Sequence, residues 1–130
     1  MAGVWRLAQQ EINGQRTDFE PLTLRVLENG NQLSFAFSVA SQDVDRMSVS
    51  YTLRLDGFDA DIKDSNGQKI GIIQMRRGGA SGYTFIMKGP NRADSQGTLT
   101  VSPDGKTLVS ESASTQGGRP VQSEQTFRRD

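Results

Sequence analysis

Hydrophobic and polar positions alternate with a period of two along almost the whole chain, and the longer rhythm of a helix hardly appears. In residues 32–39, Leu33, Phe35, Phe37 and Val39 share one face, while Ser34, Ala36 and Ser38 share the other. Residues 47–55 repeat the pattern, with Val49, Tyr51, Leu53 and Leu55 set against Ser48, Ser50, Thr52 and Arg54. Residues 83–88 set Tyr83, Phe85 and Met87 against Thr84, Ile86 and Lys88. Further strand-like runs cover residues 3–9, 22–28, 58–62, 69–76, 96–102, 107–114 and 119–129. Turn chemistry separates them: Asn29-Gly30-Asn31, Asp56-Gly57, Asn66-Gly67, the run from Pro103 to Gly105, and Gln116-Gly117-Gly118. The link from Gln10 to Asp18 is the one segment with room for a helical turn.

Consecutive hairpins with one apolar and one polar face bury the apolar face by curling shut, which also removes exposed sheet edges. The expected fold is therefore all-β: a closed or nearly closed antiparallel up-and-down β-barrel of 8–10 strands, forming one domain over residues 1–130. A two-sheet sandwich is the competing solution, but no long Greek-key crossover is legible.

Closure raises the question of Trp5, the only tryptophan, which lies close to the start of the chain. In a closed barrel the first and last strands are neighbours, so Trp5 plugs one end with the last strand beside it. An arginine of the closing Phe127-Arg128-Arg129 run then stacks on the indole, an arrangement worth roughly 0.5–2 kcal/mol. Alternation sets Phe127 and Arg129 on one face and Arg128 on the other, and does not by itself choose the partner. Arg128 is the residue assigned to closing the barrel with Trp5.

Composition narrows the chemistry. There is no cysteine and no histidine, which removes thiol nucleophiles, disulfides, and imidazole bases and ligands. Fifteen basic and fifteen acidic side chains cancel, so the chain lacks the electrostatic footprint of a nucleic-acid binder. The halves carry about −4 and +4, a mutual attraction within one barrel. No apolar run is long enough to span a membrane as a helix, and no signal-peptide pattern is legible.

Gly3-Val4-Trp5 on the first strand, with a basic residue on the last, resembles the calycin barrels: the lipocalins and fatty-acid-binding proteins. More closely, Asp104-Gly105-Lys106-Thr107-Leu108, then Gly118-Arg119-Pro120-Val121 and the aromatic–basic finish, resemble small bacterial lipocalin-like proteins over nearly the whole chain. That resemblance implies a ligand-binding barrel and a periplasmic or secreted location. Fatty-acid-binding proteins place two helices between their first two strands, and the link here is too short for that lid. Their arginines and tyrosine that read a ligand carboxylate have no assignable counterpart in this chain, and the histidine of haem-binding barrels is absent.

The candidate ligand-binding residues are Phe35, Phe37, Tyr51, Leu53, Tyr83, Phe85 and Met87, on faces assigned inward. Ser110, Ser112 and Ser114 share a face with Leu108, and Ser123 and Gln125 share one with Val121 and Phe127, so one wall of the barrel is small or polar. Such a wall suits a cavity holding water or an amphipathic ligand, because buried polar groups need partners. The acidic run from Asp56 to Asp64 fails the EF-hand pattern and reads as hairpin chemistry, so no metal or cofactor is expected. Arg76-Arg77-Gly78-Gly79 lacks the context of a phosphate loop. Glu111 and Glu124 lie on adjacent strands but on the outward face, which gives no paired-carboxylate cleft. The expected function is a small-molecule binder with a lipophilic ligand in its lumen. The alternatives are a packed barrel acting as a protein-interaction module and, less favoured, an enzyme working without histidine or cysteine.

Overall fold

The structure, a computed structural model, describes residues 1–40, 45–79, 82–89 and 92–130. The strands are β1 (Gly3–Ile12), β2 (Gln15–Arg16), β3 (Leu22–Asn29), β4 (Gln32–Ala40), β5 (Asp45–Arg54), β6 (Ala60–Lys63), β7 (Lys69–Arg77), β8 (Gly82–Gly89), β9 (Arg92–Val101), β10 (Thr107–Gln116) and β11 (Arg119–Arg129). From β3 onward each strand pairs antiparallel with the next, and β11 returns to pair with β1, which also pairs with β3. The result is a closed, antiparallel, up-and-down barrel of ten strands, with β2 as a two-residue extension on β1. The chain ends meet as closure requires: Trp5 lies opposite Arg129, and Leu7 opposite Phe127.

Local sequence explains the turns. Gln116 pairs with Arg119 across Gly117 and Gly118, whose φ angles of 57° and 77° are those of a tight hairpin. A side chain at either position would be strained there, and glycine is not. The same chemistry fills the link from Gln10 to Asp18, the one segment with room for a helical turn, with strand and turn instead. β1 runs on to Ile12, and Asn13 (φ 53°) and Gly14 (φ 80°) reverse the chain into β2. Among the described residues there is no helix.

Strand direction divides the barrel into two halves. One end carries the start of β1, the hairpin between β3 and β4, the turn after β9 and the end of β11. Toward this end the inner face is packed with Trp5, Leu7, Leu24, Val26, Leu33, Phe35, Leu53, Ile62, Ile73, Met75, Leu108 and Phe127, all buried. Toward the other end the inner residues of β10 and β11 become Ser110, Ser112, Gln125 and Ser123, which are only half-buried. The wall is also uneven around its girth. β5 and β6 share one registered pair, Ser50 with Lys63, whereas β4 and β5 pair along almost their full length.

At the packed end Trp5 is fully buried, and its Nε1 donates to the carbonyl of Met1 at 3.0 Å. The guanidinium lying over its ring belongs to Arg129, 4.4 Å from the ring to Cζ, and not to Arg128. Arg129 Nε donates to the Gly105 carbonyl at 2.8 Å and Nη1 to the Ala2 carbonyl at 2.6 Å. The assignment to Arg128 is thereby corrected. Arg129 shares the inward face of Phe127 and folds beneath the indole, while Arg128 is exposed on the outer face. Gly3 completes the arrangement: its φ is 141°, and a Cβ there would lie 2.6 Å from Arg129 Nη1. The pattern of glycine, any residue, tryptophan thus has a local cause, because the arginine occupies the space a side chain would take.

Candidate functional site

Between the packed half and the far end lies a cavity of about 180 Å³. Its apolar side comes from Leu24 on β3, Phe35 and Phe37 on β4, Tyr51 on β5, and Phe85 and Met87 on β8. The rest of the lining comes from Ser95 and Leu99 on β9, Ser110 and Ser112 on β10, and Gln125 and Phe127 on β11. Alternation places these residues together, since each lines the inner face of its strand.

The aromatic side is ordered by ring contacts. Phe35 and Tyr51 stand opposite each other across the β4–β5 pair and stack with centroids 4.9 Å apart, and Phe37 tilts against Tyr51 at 6.1 Å. Tyr51 is only 6 % exposed, and burial pushes its phenol well above the usual tyrosine range, so it stays a hydrogen-bond donor across the physiological pH range. Its hydroxyl makes no hydrogen bond to any described residue, nor do the side chains of Ser95, Ser110 and Ser112. None of the described polar side-chain atoms is both sealed from solvent and unpartnered, so the Tyr51 oxygen has an open side, and Tyr51 borders both this cavity and a depression on the outside of the barrel.

The far rim of the cavity is tied by a short polar chain. Gln125 Nε2 donates to Gln10 Oε1 at 2.8 Å, and Gln10 Nε2 donates to Thr17 Oγ1 at 3.0 Å. Gln10 points inward because of an irregularity in β1. Leu7 pairs with Phe127, but the next pair is Gln9 with Thr126, so one extra residue, Ala8, shifts the phase of the strand. Gln9 accordingly lies outside, where it meets Arg16 and Glu11.

Of the residues expected to bind a ligand, Phe35, Phe37, Tyr51, Phe85 and Met87 border the cavity. Leu53 and Tyr83 do not. Leu53 is buried lower in the packed half, and Tyr83 lies nearer the packed end, with Arg77 5.8 Å over its ring. Leu24, Ser95 and Leu99 were not anticipated. Leu24 pairs with Phe37, and Leu99 with Ser110, so hairpin register would have found both. Ser95 fell outside the expected strand at 96–102 because β9 starts earlier, at Arg92.

Two larger depressions, of about 660 and 600 Å³, lie on the outside of the barrel. Outward residues dominate their walls: Thr84, Gln96, Thr98 and Glu111 in one, Arg25, Ser34, Thr52 and Lys63 in the other. They are troughs between twisted strands, open to solvent. Glu111 and Glu124 do stand opposite each other, with Glu11 next in the row, but on this outer surface. Among the described residues no group of acidic side chains is arranged to hold a metal ion, and no helix is long and apolar enough to cross a membrane.

The architecture is an up-and-down barrel of ten antiparallel strands closed into one wall. The chain is similar in fold to the zebrafish ileal bile acid-binding protein complexed with cholic acid, with a TM-score of 0.68 at 17 % identity, over 99 % of this chain and 98 % of that one. A siderocalin, Ex-FABP, described as having dual ligand specificities, superposes with a TM-score of 0.49 at 12 % identity, over 99 % of this chain and 69 % of that one. No family model matches the sequence, and no curated protein matches it.

Proposed function

We propose that this barrel is a binding module that takes a small hydrophobic or amphipathic molecule into its lumen. The observation that carries the reading is the cavity of about 180 Å³ between an aromatic side and a hydroxyl-lined side. A core built only for packing leaves few voids larger than a water molecule. This one is larger and keeps unpartnered hydroxyls, which favours an occupant over a barrel packed throughout. The fold is compatible, since the bile acid-binding protein that shares it was solved with cholic acid. The volume argues for something smaller, because pockets for drug-sized ligands run about 300–1,000 Å³.

Titration with 1-aminonaphthalene, a neutral fluorophore of two fused rings, tests the reading. Saturable one-to-one uptake with a blue-shifted emission is expected, together with a rise in melting temperature as ligand is added. Replacing Ser112 with leucine should abolish uptake while the circular dichroism spectrum stays native. Absence of saturable uptake by the folded protein, both of this probe and of the one-ring 4-ethylphenol, would overturn the proposal.

A further inference from the structure

The lumen contains no charge among the described residues. Among the described residues no charged side chain is buried, and every residue bordering the cavity is apolar, a serine, a glutamine or a tyrosine. The cations whose positions are described are committed elsewhere or exposed. Arg129 lies on Trp5 at the packed end, Arg77 over Tyr83, and Arg6 is paired with Asp130 outside. A carboxylate drawn into this space would lose its water and find no counter-ion, which is among the most costly things a protein can bury. The hydroxyls on its walls are the complementary feature. Ser95, Ser110, Ser112 and Tyr51 offer both donors and acceptors with no partner of their own among the described residues.

Given the binding reading above, on which this rests, we infer that the lumen selects an uncharged ligand about the size of one aromatic ring, with a single hydrogen-bonding group, and rejects carboxylates. The apolar body lies on Phe35, Tyr51 and Phe85, and the polar group faces Ser110 and Ser112. Size follows from volume: a cavity of about 150 Å³ is filled by one benzene ring. This lumen adds room for a short substituent. Selectivity follows from the polar wall. A purely aliphatic lumen would take any apolar body, whereas unpartnered hydroxyls favour a guest that bonds them.

Three matched compounds separate the possibilities when titrated calorimetrically at pH 7.4: 4-ethylphenol, 4-ethylbenzoate and 4-ethyltoluene. The phenol is expected to bind at least ~100-fold more tightly than the benzoate and about tenfold more tightly than the toluene. Lowering the pH until the benzoate protonates should recover most of its affinity. Ser110→Ala combined with Ser112→Ala, which remove little volume, should bring the phenol close to the toluene. Tyr51→Phe serves as an independent variant with the ring contacts kept. If the benzoate binds as tightly as the phenol, the inference fails and the binding reading stands. If none of the three binds, and 1-aminonaphthalene does not either, both fail together. If 1-aminonaphthalene binds and these do not, the inference on size and polarity fails alone.

Discussion

Truncation of Arg129 is the sharpest test of how the barrel is closed. Arg129→Ala removes the guanidinium 4.4 Å over the Trp5 ring and two hydrogen bonds, to the carbonyls of Gly105 and Ala2. An exposed cation–π contact is worth roughly 0.5–1 kcal/mol. Hydrogen bonds from a charged donor reach about 1.5–3 kcal/mol when dry, but this side chain is exposed and water competes, so about half of the lower figure is the fair share of each. The sum is about 2 kcal/mol, and for a domain of this size roughly 6–10 °C in melting temperature. Arg128→Ala should cost less than about 0.5 kcal/mol, because that side chain is exposed on the outer face. Arg129→Lys keeps the charge but loses the flat face and the two-directional donors, so it should lie closer to alanine than to wild type.

Gly3 supplies the coupling experiment. Gly3→Ala strains a backbone with φ of 141° and pushes a methyl group toward Arg129 Nη1. Its cost should be about 2 kcal/mol alone, and the two changes together should cost at least ~0.5 kcal/mol less than their sum, since truncating the arginine clears the clash. Urea unfolding followed by far-UV circular dichroism measures all of these without relying on the perturbed tryptophan. An Arg128→Ala variant as destabilised as Arg129→Ala, or strict additivity of Gly3→Ala with Arg129→Ala, would refute the closing arrangement.

Three further outcomes are expected. In an alkaline titration followed by tyrosinate absorbance, the Tyr51 contribution should appear only as the barrel unfolds, and Tyr51→Phe should remove that late step. The folded state holds the phenol proton more tightly than the unfolded state, so the stability tied to Tyr51 is intact below about pH 10 and declines as pH rises beyond it. Ser110→Val exchanges an unpartnered lumen hydroxyl for apolar volume in a strand; it should raise stability by about 0.5–1 kcal/mol while weakening uptake of 4-ethylphenol, as read by urea unfolding and calorimetry. Gly97→Ala should destabilise by about 2–3 kcal/mol, because the added methyl runs into the Glu111 carbonyl and the Phe85 ring, and the urea midpoint will report it.

The strands were legible in the sequence because their signals are local. Alternation in residues 32–39 and 47–55 fixes both strands and their inner faces, and Asn29-Gly30 and Gly117-Gly118 fix their turns. What escaped depends on a single inserted residue or on distance along a strand. The extra Ala8 turns Gln10 into the lumen, where strict alternation from Trp5 and Leu7 would have put Gln9. Leu53 and Tyr83 share the inner face with the cavity residues, but they lie toward the packed end, and alternation says nothing about depth. The choice of Arg128 over Arg129 is different in kind. The alternation that grouped Arg129 with Phe127 already favoured it, once Phe127 was placed in the core.

Depth along the strands joins the architecture to the proposed chemistry. Following β10 away from the packed end, the inner positions read Leu108, Ser110, Ser112 and Ser114; along β11 they read Phe127, Gln125 and Ser123. On two other strands the change does not occur, since β4 offers Phe35 then Phe37, and β8, which pairs with β9, offers Phe85 then Met87. The packed half holds nearly all the fully buried side chains and the Trp5–Arg129 closure, and so carries most of the burial energy. The far half can then keep hydroxyls without protein partners, a local cost that the packed half makes tolerable. Had the serine wall been aliphatic, the lumen could collapse into a continuous core with no room for a guest. Had it carried an arginine, the same space would call for an anion. Polar but uncharged, it favours a guest that presents one hydrogen-bonding group on one side and a flat apolar surface on the other.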